Sequence, residues 1–165
     1  MVHQKSAFSL LELTITLFIA SIIFALLIPS YQSFLEERQE SLFRDQLQDA
    51  IHLARQMAGA YNTKITLCSS AHPPLCEKNW RNDFFIIKNT EHILQTFSPP
   101  HLNGILHWRA PLHYPDLQFF PNALTYQSNG TFWYCPNNAE KPRWAIVINR
   151  EGRTRVMNAC RTCPC

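Results

Sequence analysis

Arginine is concentrated toward the C-terminal end of the chain. Arg150, Arg153 and Arg155 bracket Glu151 and Gly152, with Lys141, Arg143 and Arg161 close by in sequence. Residues 141–165 carry six basic side chains against one acidic, while the rest of the chain carries nine against eleven. A planar guanidinium grips phosphate oxygens through paired N–H donors, so two or three on one strand edge form an efficient phosphate clamp. Binding of this kind follows the nucleic-acid backbone, tolerates any sequence and weakens with salt. The plainer role for such charges is to keep an edge strand from pairing with another chain. Trp133 and Tyr134 are aromatic candidates for base stacking, core packing being the commoner job.

Six cysteines form the second reactive set: Cys68, Cys76, Cys135, Cys160, Cys163 and Cys165. An even number behind a membrane-targeting segment favours disulfides in an oxidising compartment. Cys68 and Cys76 enclose a short loop, whose closure is worth roughly 2–3 kcal/mol in the chain-entropy model. Cys135 ends one predicted strand and Cys160 follows the last, so a bond between them would staple neighbours. Cys163 and Cys165 are too close for an easy bond to each other, and either competes for Cys135. Zinc ligation by Cys160, Cys163 and Cys165 is disfavoured, since the tail offers neither histidine nor a second well-spaced pair. The chain has no phosphate-binding glycine loop, nucleophile elbow or zinc-protease motif. No catalytic residue, metal or cofactor is therefore expected.

These residues need elements to hold them. Trp144–Asn149 and Thr154–Met157 flank Arg150-Glu-Gly-Arg153, which predicts a β-hairpin with Gly152 in its turn. Alternation along the second strand puts Arg153 and Arg155 on one face, and Gly152 leaves the backbone approachable. Six further β-type runs precede the hairpin: 64–68, 84–88, 93–97, 105–109, 117–120 and 131–135. Prolines and Asn-Gly punctuate them, which points to antiparallel sheets. Upstream, Tyr31, Phe34, Leu35, Leu42, Phe43, Leu47, Ala50, Ile51, Ala54 and Met57 recur at three- and four-residue steps. An amphipathic helix over 30–58 follows, with Gly59 as its stop. Such a helix followed by strands is an α+β fold, with the helix packed on antiparallel sheets.

The N-terminal segment is of another kind. Residues 8–28 contain fourteen Leu, Ile or Phe and one charge, Glu12. The apolar side chains favour bilayer insertion by about 6 kcal/mol, against about 3 opposing it from Glu12. Insertion wins, and a carboxylate at that depth needs a partner. Three segments result: a leader over 1–7, a transmembrane helical segment over 8–29, and a globular domain over 30–165 that includes the amphipathic half of the helix.

Lys5-Ser6-Ala7-Phe8-Ser9-Leu10-Leu11-Glu12 resembles the processing site of type IV prepilins and type II secretion pseudopilins. The resemblance implies cleavage by a prepilin peptidase between Ala7 and Phe8, methylation of the new amine, and Glu12 as the assembly glutamate that meets a neighbouring subunit's ammonium. Alanine stands at position 7 where the family most often has glycine, which implies slower processing. The paired Cys68 and Cys76, the following Trp80 and the basic hairpin are similar to the FimT/GspH class of minor pilins and pseudopilins. Gly152-Arg153-Thr154-Arg155 then implies binding of double-stranded DNA during natural transformation. Other expected partners are fellow pilins or pseudopilins in a filament and the bacterial inner membrane. The implied setting is a single-pass inner-membrane protein with its C-terminal domain in the periplasm, later incorporated in an extracellular pilus. The competing implication is a structural pseudopilin or assembly primer with no nucleic-acid ligand.

Overall fold

The computed structural model describes residues 10–73, 75–80, 84–90, 92–100, 102–137, 139–158, 160 and 163–165; the side chains of 26–30, 32, 33, 84 and 112 are outside that description. One long helix, α1 (Leu10–Ala60), precedes eight strands. They are β1 (Ile65–Ser70), β2 (Phe84–Lys88), β3 (Ile93–Phe97), β4 (Gly104–Arg109), β5 (Leu117–Phe119), β6 (Gly130–Pro136), β7 (Trp144–Ile148) and β8 (Thr154–Met157). Each predicted run lies on one of these strands, because alternating apolar residues bounded by proline or glycine are a strong local signal. A 3-10 turn at Pro111–His113 was not foreseen.

The chain divides into two compact units, residues 1–38 and 39–165. In the first, α1 is helical throughout its described length, with Glu12 exposed in the first turn. Thr14, Thr16 and Ser21 return their hydroxyls to the carbonyls of Leu11, Leu13 and Phe18. Back-bonding of this kind satisfies the polar groups internally and leaves an apolar exterior. Leu10, Leu11, Leu17, Phe18 and Phe24 are all well exposed. Among the described residues no helix is long and apolar enough to cross a membrane. The span expected over 8–29 also draws on residues and side chains outside the description. Tyr31, Phe34 and Leu35, expected on the core-facing stripe, are exposed as well. Among its described residues this unit offers a lone helix, with no second element of its own to cover them.

In the second unit the helix has partners. Phe43, Leu47, Ala50, Ile51, Ala54 and Ala58 form a buried stripe, while Leu42, one step off it, is exposed. The helix continues through Gly59 to Ala60, and the Tyr61 amide closes its last turn on the Met57 carbonyl. Two four-stranded antiparallel sheets share the stripe's core: a first sheet in the order β3-β2-β1-β5 and a second in the order β4-β6-β7-β8. The Phe43 ring meets Phe85 of the first sheet at 5.6 Å and Trp144 of the second at 6.1 Å. Trp80 fills the gap between sheets beside Phe132, at 4.6 Å, and donates its indole N–H to the Pro115 carbonyl. The architecture is α+β, a helix against antiparallel sheets, as the order of elements predicts.

One carboxyl near the first sheet is in a costly place. Burial pushes the Asp116 carboxyl above its ordinary value of 3.8, and the attractions of Lys88 and Lys64 offset this only in part. The folded chain therefore holds this proton more tightly than the unfolded chain. The group's contribution is most favourable at pH below 3.8 and is lost as pH rises through the folded value. Asp116→Asn should raise the melting temperature at pH 7, and thermal denaturation across a pH series should show that gain vanish in acid.

Candidate nucleic-acid interface

The arginine cluster sits on the hairpin formed by β7 and β8, and β8 is an edge strand. Its turn is closed by Asn149, whose amide donates to the Arg153 carbonyl at 3.1 Å and whose side-chain oxygen accepts from the Arg153 amide at 2.8 Å. The Gly152 amide completes the turn on the Asn149 carbonyl. Inward residues fix the orientation of β8. The Thr154 hydroxyl meets Gln48 at 3.3 Å and His52 at 3.1 Å, both on α1, and Val156 packs on the main core. Arg153 and Arg155 are exposed on the opposite side, the shared face that alternation predicts.

A loop from Phe120 to Ser128 braces the turn from beneath. Thr125, fully buried, donates its amide to the Arg150 carbonyl at 3.0 Å and its hydroxyl to the Asn149 carbonyl at 3.1 Å. The Arg150 guanidinium lies over the Tyr126 ring at 5.7 Å, an arrangement that orients the cation. Neither Thr125 nor Tyr126 carries a sequence signal, since both act across 24 to 25 residues of chain.

Other expectations need correction. Gly152 is not approachable: it is buried, with φ at +71°, and a Cβ there would come within 2.9 Å of Phe119 and 3.1 Å of the Ala123 carbonyl oxygen and of Arg55. Its place is set by packing onto the first sheet and α1. Arg143 and Lys141 lie at the other end of β7, roughly 17 Å from the turn at the rise of an extended strand. Arg143 is engaged there by α1, its Nε lying 3.1 Å from a carboxylate oxygen of Glu40, itself buried. Arg161, Ala7 and Phe8 lie outside the described residues. Trp133 and Tyr134 are both buried, so neither offers a face for base stacking.

Arg153 has a local companion in Glu151, at 3.3 Å, with both side chains largely exposed. A pair this open to water is worth between nothing and about 1 kcal/mol, so a phosphate can replace the carboxylate at little cost.

The cysteines form three disulfides: Cys68–Cys76, Cys135–Cys165 and Cys160–Cys163. The pairing of Cys135 with Cys160 is thus not found. The tail folds back over the outer face of the second sheet, where the Trp133 indole donates to the Pro164 carbonyl at 3.0 Å. That bond draws the last residue, and not Cys160, to the end of β6. Among the described residues no group of histidine, cysteine and acidic side chains is arranged to hold a metal.

Comparison with known proteins bears on this geometry. The family model described as "Type II transport protein GspH" matches residues 44–152, from the buried half of α1 to the hairpin turn. No curated protein matches the chain. Two crystal structures of the type IV minor pilin FimU from Pseudomonas aeruginosa are similar in fold. One, in space group P21, has a TM-score of 0.58 at 17% identity, over 74% of this chain and 92% of that one. The other, in space group P65, has a TM-score of 0.51 at 17% identity, over 72% and 91%.

Gly152 gives a test of the turn that leaves every charge in place. Gly152→Ala should cost about 1–3 kcal/mol in urea denaturation, from a strained positive φ and the close approach to Phe119 and the Ala123 carbonyl.

Proposed function

The chain belongs to the GspH family of type II transport proteins, and from that premise we propose that it is a minor pilin of a type IV pilus that binds double-stranded DNA through its C-terminal hairpin. Its fold and family make it a subunit of the pilin and pseudopilin class, and assembly with other such subunits follows. The observation that carries the DNA reading is the outward alignment of Arg153 and Arg155 on an edge strand, with Arg150 at the adjoining turn. Inward Thr154 and Val156 anchor that strand to α1 and the core, so the cations are held at fixed spacing. Contacts of this kind reach phosphates and leave base edges unread, which suits a receptor for DNA of any sequence in natural transformation.

The N-terminal half of α1 supports the remainder of the reading. The Thr14, Thr16 and Ser21 hydroxyls are internally satisfied and its described apolar side chains are largely exposed, as a helix needs in a bilayer or among the helices of a filament. Cleavage between Ala7 and Phe8 frees an amine for the Glu12 of a neighbouring subunit. The inner membrane holds the subunit until assembly. Mass spectrometry of membrane-extracted protein should find methylated Phe8 as the first residue; an intact Met1 throughout would remove the prepilin assignment.

A second reading rests on Glu151, whose carboxylate neutralises Arg153 in the free protein. In that reading the subunit is a structural pseudopilin or assembly primer without a nucleic-acid ligand. Mobility shifts with unrelated duplexes across a salt series separate the two. Arg153→Ala and Arg155→Ala should each weaken binding several-fold and flatten the salt slope by about one, whereas Glu151→Gln should strengthen it. Absence of binding at low salt leaves the structural reading standing.

A further inference from the structure

Beyond the hairpin, the register of the second sheet sets two arginines at the ends of one cross-strand row. Arg109 on β4 pairs with Thr131, Thr131 with Val147, and Val147 with Arg155. All four belong to the outer face, because Trp108, Phe132, Ile146 and Val156 beside them pack into the core. The row crosses four strands, so its ends are roughly 14 Å apart at the usual strand spacing. Between the two long cations stand a threonine and a valine, both short. The result is a shallow saddle with an arginine on each shoulder.

The Arg109 shoulder opens into a groove of about 640 Å³. Lys78, His107, Arg109 and His113 line it, and among the described residues no aspartate or glutamate side chain does. Arg109 is set across the Trp133 ring at 5.1 Å, with His107 stacked on the same indole at 5.2 Å. His113 holds a left-handed backbone conformation, φ +56°, at the end of the 3-10 turn. Strain of this kind in a non-glycine residue gathers where a site is built. Pro164 and Cys165 of the disulfide-pinned tail form the facing wall.

We infer that this groove is a second phosphate-binding station, and that a DNA duplex bound at the hairpin lies across the saddle from Arg155 to Arg109. The inference rests on the DNA reading of the hairpin and deepens it. A major groove of B-DNA is about 12 Å wide, so arginines about 14 Å apart meet phosphates on its two sides. Lys78 carries the positive path past the β4 edge, and His113 adds a ring nitrogen that can meet a phosphate oxygen. The duplex thereby gains contacts that a single hairpin cannot give, and the footprint exceeds the length served by Arg153 and Arg155 alone.

Fluorescence anisotropy of the full chain in detergent, with a labelled random-sequence duplex of about 30 base pairs, tests this. Arg109→Ala and Lys78→Ala should each weaken binding about 3- to 10-fold and lower the salt slope by about one. Arg109→Lys should retain the slope, since the phosphate contact needs the charge. Thr131→Glu, which sets a carboxylate in the row beside Arg109, should weaken binding more than either alanine variant. Near-ultraviolet circular dichroism checks that Trp133 keeps its surroundings in each variant. Binding that depends on Arg155 but is indifferent to Arg109, Lys78 and Thr131→Glu overturns the saddle alone. Absence of wild-type binding overturns the hairpin reading and the saddle together.

Discussion

The ring of Phe43 touches β2 on one side and β7 on the other, and from this contact the domain takes its layout. Below it the helix presents Leu47, Ala50, Ile51, Ala54 and Ala58, all fully buried. Alanine at three of these five positions keeps the stripe slim, so strands of both sheets reach a common core around one helix. Larger side chains there would force the sheets apart, since packed interiors absorb added volume only through strain. Glu40, one turn before Phe43, is drawn into the same arrangement by Arg143, adjacent to Trp144.

A sheet with one face committed to such a core has only its other face to offer. On the second sheet this logic separates packing from recognition within single strands. In β8, Thr154 and Val156 secure the helix side while Arg155 meets solvent; in β4, Leu106 and Trp108 are packed inward while Arg109 stands outside. The charges therefore cost the core nothing, and their positions are as fixed as the strands that carry them. The hairpin turn is the exception, because its geometry comes from Gly152 packed onto Phe119 and from Thr125 beneath it as well as from the Asn149 bonds that close it.

Local signals made much of this legible. Eight strands could be read from alternation and punctuation, and the outward pairing of Arg153 and Arg155 from strand periodicity, because both depend on near neighbours in sequence. What escaped depends on distant ones. Tyr31, Phe34 and Leu35 fit the periodicity of a buried stripe, yet periodicity says only that a face is apolar and not what covers it. Gly152 reads as an open turn until Phe119 is placed against it. Arg143 reads as a member of the basic cluster until five residues of extended β7 carry it to the far end and Glu40 engages it. The pairing of Cys135 with Cys165 follows from the course of the tail across Trp133, for which a run of Cys, Arg, Thr and Pro holds no pattern.

That tail has a mechanical meaning. The Cys135–Cys165 bond joins the end of β6 to the last residue, so β7, the turn and β8 all lie within one covalent ring. Among the described residues β8 is held laterally by β7 alone, and a pull on its arginines would otherwise unzip the sheet strand by strand from its edge. With the ring closed, load applied at the hairpin passes through sulfur to a central strand, and the length of chain that can pay out is bounded. A subunit built this way resists tension applied at its outermost strand.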